Sequence, residues 1–134
     1  MKAISLKQPF AELIKNGTKT IETRLWSTKH RGDLLICASL SNHNGFVKTY
    51  RFIKCSDLLK SYNDNGIKIE HGYAICIVNL YDVRPMTKDD ETKACCELYD
   101  GAYSWLIDNV RIIEPFYVKG QLRLFDVDFI NVHQ

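Results

Sequence analysis

No apolar run in the 134 residues approaches the roughly 18 needed for a membrane-spanning helix, so no membrane partner is expected. A secretory signal is missing too: Lys2 is followed by a short alternating run and then Lys7-Gln8-Pro9, and the expected location is the cytoplasm. The five cysteines, Cys37, Cys55, Cys76, Cys95 and Cys96, make neither a CxxC pair nor an even set, which argues against a disulfide framework. The four histidines, His30, His43, His71 and His133, stand at no ligand spacing to them, so no zinc or other metal and no cofactor is expected. An excess of one charge is also absent, because 18 Lys and Arg against 16 Asp and Glu leave a net +2. Bulk electrostatics therefore do not mark a nucleic-acid binder, and any such role must come from local clusters. There is no internal repeat and no low-complexity segment, and nothing sets an oligomeric state.

What remains is the composition of one soluble domain over residues 1–134, 46% hydrophobic and 25% charged. Cys37 and Cys76 sit in the apolar runs LLICAS and YAICIV, where a free thiol behaves as a small hydrophobe. Ala3 to Leu6 reads as a strand. Gln8-Pro9 then opens a short helix whose apolar stripe is Phe10, Ala11, Leu13 and Ile14, and Gly17 ends it. Lys19 to Leu25 alternates like a strand, which puts Ile21 with Lys19 and Thr23 on one face and Thr20, Glu22 and Arg24 on the other. A carboxylate and a guanidinium two residues apart can form a surface ion pair or share a polar ligand. Trp26 to Asp33 reads as a turn that lifts Lys29 and Arg31 to a rim. Trp26 is open to two readings, a stacking surface for a base or a cap on a barrel end.

Leu34 to Ser39 is a buried strand, Ser41 to Gly45 a loop, and Phe46 to Tyr62 a helix whose Lys48, Arg51 and Lys60 would extend a basic face. Asn63 to Gly66 is a turn, and Tyr73 to Tyr81, the most apolar run, a central strand. Thr87 can cap a helix over 88–97 whose first-turn acids suit the helix dipole. Two strands, Tyr103 to Ile107 and Val110 to Tyr117, break at Asp108-Asn109, and a last strand runs from Leu122 to Phe129. About six or seven strands with two or three short helices, and no βαβ rhythm, predict an α+β, β-rich fold built on a partly closed small barrel.

Gln8-Pro9-Phe10-Ala11, then Gly17-x-Lys19-x-x-Glu22-x-Arg24-x-Trp26, then His30-Arg31-Gly32 closely resemble the ASCH domain, the module named for homology to activating signal cointegrator-1. Gly72-Tyr73-Ala74, Asn79 to Asp82, Tyr103-Ser104-Trp105 and Pro115-Phe116-x-Val118-Lys119-Gly120 extend the resemblance over nearly the whole chain. It implies a PUA-like β-barrel and binding of RNA or single-stranded DNA in a cleft. Lys19, Glu22 and Arg24 would line that cleft, with Gln8, Trp26, His30 and Arg31 at its edge. The residue types suit an unpaired nucleotide, with cations for phosphate, a ring for stacking, and carboxylate or amide for a base edge.

The resemblance also carries an enzymatic alternative, a hydrolase of a modified nucleoside such as N4-acylcytidine, or a ribonuclease. Lys19 and Glu22 would be its catalytic residues. Glu22, however, stands where that deacetylase branch has its nucleophilic threonine, which favours a binder.

Overall fold

The computed structural model describes residues 1–42, 60–62, 64–66 and 69–129. In chain order the elements are β1 (Lys2–Gln8), α1 (Phe10–Lys15), β2 (Ile21–Arg24), β3 (Gly32–Asn42) and β4 (Tyr73–Pro85). A 3₁₀ turn (Lys88–Asp90) then runs into α2 (Glu91–Ala94), followed by β5 (Tyr103–Tyr117) and β6 (Phe125–Asp126). The six strands form a sheet in the order β2-β5-β4-β3-β1-β6. All neighbours are antiparallel except β1 and β3, which run parallel with Ala3 opposite Leu35 and Leu6 opposite Ala38. This is the α+β, strand-dominated, barrel-like architecture expected from the sequence, and β2 and β6 stand at its two free ends.

The uninterrupted apolar runs have a simple cause: the sheet is covered on both faces. Successive side chains on a strand point to opposite faces. On β1 and β3, Ile4, Leu6, Leu34 and Ile36 enter one core with Ala11 and Ile14 of α1, while Ala3, Leu35 and Cys37 enter a second with Ala74, Ile77 and Phe125. Burial pushes the Cys37 and Cys76 thiols up to about 12. Among the described residues, no helix is long and apolar enough to cross a membrane.

Several boundaries differ from the sequence expectation. Pro9 precedes α1 rather than sitting in its first turn, and Gln8 closes β1. The expected break at Asp108-Asn109 is a bulge in one continuous β5. Ile77 faces Arg111 and Asn79 faces Asp108, so β5 advances three residues while β4 advances two, and Asn109 takes a φ of 51° to absorb the extra one. The helix over 88–97 stops at Ala94 because Cys95 adopts the left-handed conformation, φ 57°. The final strand shrinks to Phe125–Asp126, so residues 118–124 are an irregular strap between β5 and β6. β3 runs on through Ser41 and Asn42, where a loop was expected. The rest of that loop, and the basic helix apart from residues 60–62, lie outside the described residues.

The first-turn acids before α2 have a structural role. Asp90 accepts hydrogen bonds from Arg84 Nη1 at 2.7 Å and Nη2 at 2.8 Å, from the Thr87 N–H at 3.0 Å and from Ser104 Oγ at 2.8 Å. These donors, Arg84 foremost, hold its carboxyl well below the usual range. The acidic turn is thereby tied to β4 and β5.

Candidate nucleic-acid cleft

The sheet curls until β2, at one end, comes up to β1, next to the other end, yet these two strands do not pair. A side chain crosses the gap instead: Arg24 Nη2, from β2, donates to the Ser5 carbonyl of β1 at 2.9 Å. A cleft of about 1270 Å³ opens along this seam. One wall comes from β1 and Phe10 of α1, the floor from Lys19 and residues 22–26, and the remaining walls from residues 38–40 of β3 with Gly72, from Cys96 to Tyr99 and from the strap.

Local folding explains why Lys19 belongs to the floor. Gly17, at φ 86°, turns the chain out of α1, and the Lys19 N–H returns to the Leu13 carbonyl at 2.9 Å. Regular pleating begins only at Ile21, so alternation does not reach back to Lys19 and its side chain swings to the same side as Glu22. This corrects the expectation that Lys19 and Glu22 face opposite ways. Glu22 and Arg24 do share a face, two residues apart on the strand. Lys19 Nζ donates to the Ala94 carbonyl, lies 3.3 Å from Glu22 Oε1, and sits 5.1 Å from the Phe10 ring centroid. Its side chain is only 1% exposed, a burial that a cation sustains when its donors are matched.

Glu22 is clamped from the other side. Arg24 donates to its Oε2 from Nε at 2.9 Å, and its Nη2 stands in an ion pair 2.9 Å from the same oxygen. Burial acting alone would push the Glu22 carboxyl up, but Arg24 and Lys19 outweigh it and its pKa is lowered. The floor is therefore a fixed cation–anion–cation row with the anion in the middle.

Trp26 lines the same cleft and also does what the capping reading expected, packing its ring against the first core. It meets the fully buried Trp105 edge to face, centroids 4.9 Å apart, and Trp105 Nε1 donates to its carbonyl at 3.2 Å. Arg123 of the strap lays its guanidinium 4.9 Å from the Trp26 centroid. Across the floor, Thr23 Oγ1 is 3.6 Å from Cys96 Sγ, and burial raises the pKa of both Cys96 and the neighbouring Tyr99.

Three expected edge residues are not among the cleft's lining side chains. Gln8 is fully buried, where its Oε1 accepts the Glu12 N–H at 3.0 Å and its Nε2 donates to the Glu70 carbonyl at 2.7 Å, so its amide joins α1 to the segment before β4. His30 Nε2 is 2.9 Å from the Asp33 carbonyl. Arg31 Nη1 donates to the Thr28 and His30 carbonyls at 2.9 Å, and Nη2 stands 3.8 Å from Asp82. The basic turn thus folds on itself and toward β4 rather than over the cleft. Conversely, Phe10, Tyr99 and Arg123 line the cleft without having been singled out as binding residues. Phe10 stood in the QPFA motif, whereas nothing local in the sequence points Arg123 toward Trp26. Among the described residues no three of His, Cys, Asp or Glu come together as a metal set.

Comparison with known proteins agrees with this architecture. The family model for the ASCH domain matches residues 4–117. Mouse Activating signal cointegrator 1 is 26% identical over 138 residues, covering 98% of this chain, which spans only 23% of that relative's length. Among solved structures, ASCH from Zymomonas mobilis superposes with a TM-score of 0.59 at 15% identity, over 98% of this chain and 90% of that one. A mutant form of the same protein gives a TM-score of 0.59 at 14% identity, over 99% and 96%. The structural likeness at such identities concerns the fold alone. The sequence motifs, the matched span and the seam-lining row lead to one assignment: the chain belongs to the ASCH domain family, whose PUA-like fold is associated with RNA binding.

Proposed function

We propose that this domain binds RNA or single-stranded DNA, with one unpaired nucleotide entering the seam above Lys19, Glu22 and Arg24. The observation that carries this reading is the ionised Glu22 carboxylate held between two cations at the floor of a largely apolar cleft. A nucleobase has an apolar face for such walls and donor groups on its edge for a fixed carboxylate. The strand's phosphates would meet Lys7 at the mouth. A cytoplasmic location accompanies this reading and is tested by fractionation.

Anisotropy titrations with labelled single-stranded and duplex oligonucleotides at several salt concentrations test it. Binding should weaken linearly in log–log terms as salt rises, and Arg24→Ala should weaken it further. Absence of binding at low salt, or an Arg24→Ala variant that is folded and binds like the parent, defeats the proposal.

The hydrolase alternative needs Glu22 as a base toward water, with Lys19 as its proton-transfer partner. Despite its burial, Glu22 is held down in pKa by Arg24 and Lys19, which leaves it a weak base and favours binding over proton abstraction. Incubation with N4-acylated cytidines and with labelled RNA, using Glu22→Gln as the control, decides between the two.

A further inference from the structure

We infer that Arg123, laid over the Trp26 ring, is a stacking platform for one base of a bound RNA strand, and so a further binding residue of the cleft. This rests on the reading of the seam as an RNA site, and adds to it a residue outside the family motif and a mode of contact.

The platform is built from two sides. Trp26 is fixed from behind by the buried Trp105, through an edge-to-face contact at 88° and the hydrogen bond to its carbonyl. Arg123 is fixed by its strap, which is tied down at both ends. The Val118 N–H donates to the Gly72 carbonyl at 3.1 Å, and Phe125 pairs with Ala3. Between these anchors Gly120 passes so close to β1 that a Cβ there would lie 3.1 Å from Ser5 Oγ. Arg123 itself holds a φ of 60°, a left-handed conformation uncommon for a residue with a side chain. Its neighbour Leu122 is 92% exposed, so burial of that apolar side chain does not account for the path of the strap.

The charge of Arg123 is not spent within the molecule. Among the described residues no carboxylate lies within ion-pair distance of it, whereas Arg24, Arg31, Arg84 and Arg111 each have one. The guanidinium lies over the indole and is otherwise exposed, and arginine planes are among the surfaces on which unpaired bases stack. A lysine would keep the charge and lose the plane.

That difference provides the test. Arg123→Lys and the parent are titrated with an oligoadenylate of roughly 12 nucleotides, within the usual span of single-strand sites, and with an abasic strand of equal length. Expected is an affinity loss of about tenfold for Arg123→Lys on oligoadenylate, since stacking is worth about that much per base. The salt slope should be unchanged, because the charge is conserved, and the loss should shrink below about twofold on the abasic strand, which offers nothing to stack. Arg123→Lys binding oligoadenylate like the parent, or losing equally on both strands, overturns the platform and leaves the cleft reading standing. Failure of the parent to bind either strand overturns both.

Discussion

Lys19 Nζ and Glu22 Oε1 lie 3.3 Å apart beneath the cleft, with side chains only 1% and 11% exposed. Each makes the other's burial tolerable. Glu22→Ala therefore strands a buried ammonium and should lower folding stability by about 3–5 kcal/mol, the usual result of halving a buried pair. Glu22→Gln keeps one acceptor oxygen and should cost less. Urea unfolding of both variants measures the difference, and a Glu22→Gln variant as stable as the parent would show that the charge at Glu22 is immaterial to Lys19.

Acidification should strike the acidic turn and the cleft floor together. Asp90 and Glu22 have pKa values lowered by folding. Their stabilisation is fully present above the ordinary carboxylate range near about pH 4, and is lost as the pH falls through the lower folded values. Glu12 has the opposite sign: burial raises its pKa, so its ionisation opposes folding and relaxes on protonation. Thermal unfolding from pH 7 down to about pH 2 should show a steep fall in the parent and a shallower one in Asp90→Asn. At neutral pH Asp90→Asn should lose about 2 kcal/mol, less than for wholly buried pairs because Arg84 is partly exposed.

Gln8→Ala should lower stability by about 1–3 kcal/mol, because it leaves the buried Glu12 N–H and the Glu70 carbonyl without their partner. Oligonucleotide affinity in the folded fraction should be unchanged, since the amide does not face the cleft. A variant with normal stability and lost binding would return Gln8 to the site.

Cys37 and Cys76, with thiols pushed up to about 12 and buried in the cores, should resist aromatic disulfide reagents at neutral pH in the native protein. Mass mapping of the modified positions with rising denaturant should show both reacting only as the whole fold opens. Early labelling of either would mean a local opening of β3 or β4.

The sequence carried the strand-rich architecture because alternation and apolar runs are local. It carried the Glu22–Arg24 pairing because two residues on one strand face need nothing else. It misassigned Lys19 by extending the pleat two residues beyond the strand's true start, a boundary set by Gly17 and by the return of the Lys19 N–H to Leu13. Asn109 read as a chain break because turn chemistry and bulge chemistry both call on a residue able to adopt positive φ. Gln8 was drawn toward the ligand by its place in a motif, whereas the fold uses it 62 residues away in sequence, at Glu70. The Arg123–Trp26 contact spans most of the chain and depends on how the sheet curls, which no window of neighbouring residues records.

The edge of β1 beyond its pairing with β6 at Ala3 and the edge of β2 away from β5 stay unjoined, which gives that curl a further meaning. Arg24 is at once the tie across the seam and the nearest cation to Glu22. A ligand that draws Arg24 toward itself loosens the tie, whereas one that leaves it in place adds its own contacts to both edges. Occupancy and mechanical integrity are thus wired to one guanidinium. A mutation that zipped β1 to β2 with backbone hydrogen bonds would yield a sturdier barrel with nowhere to put a guest.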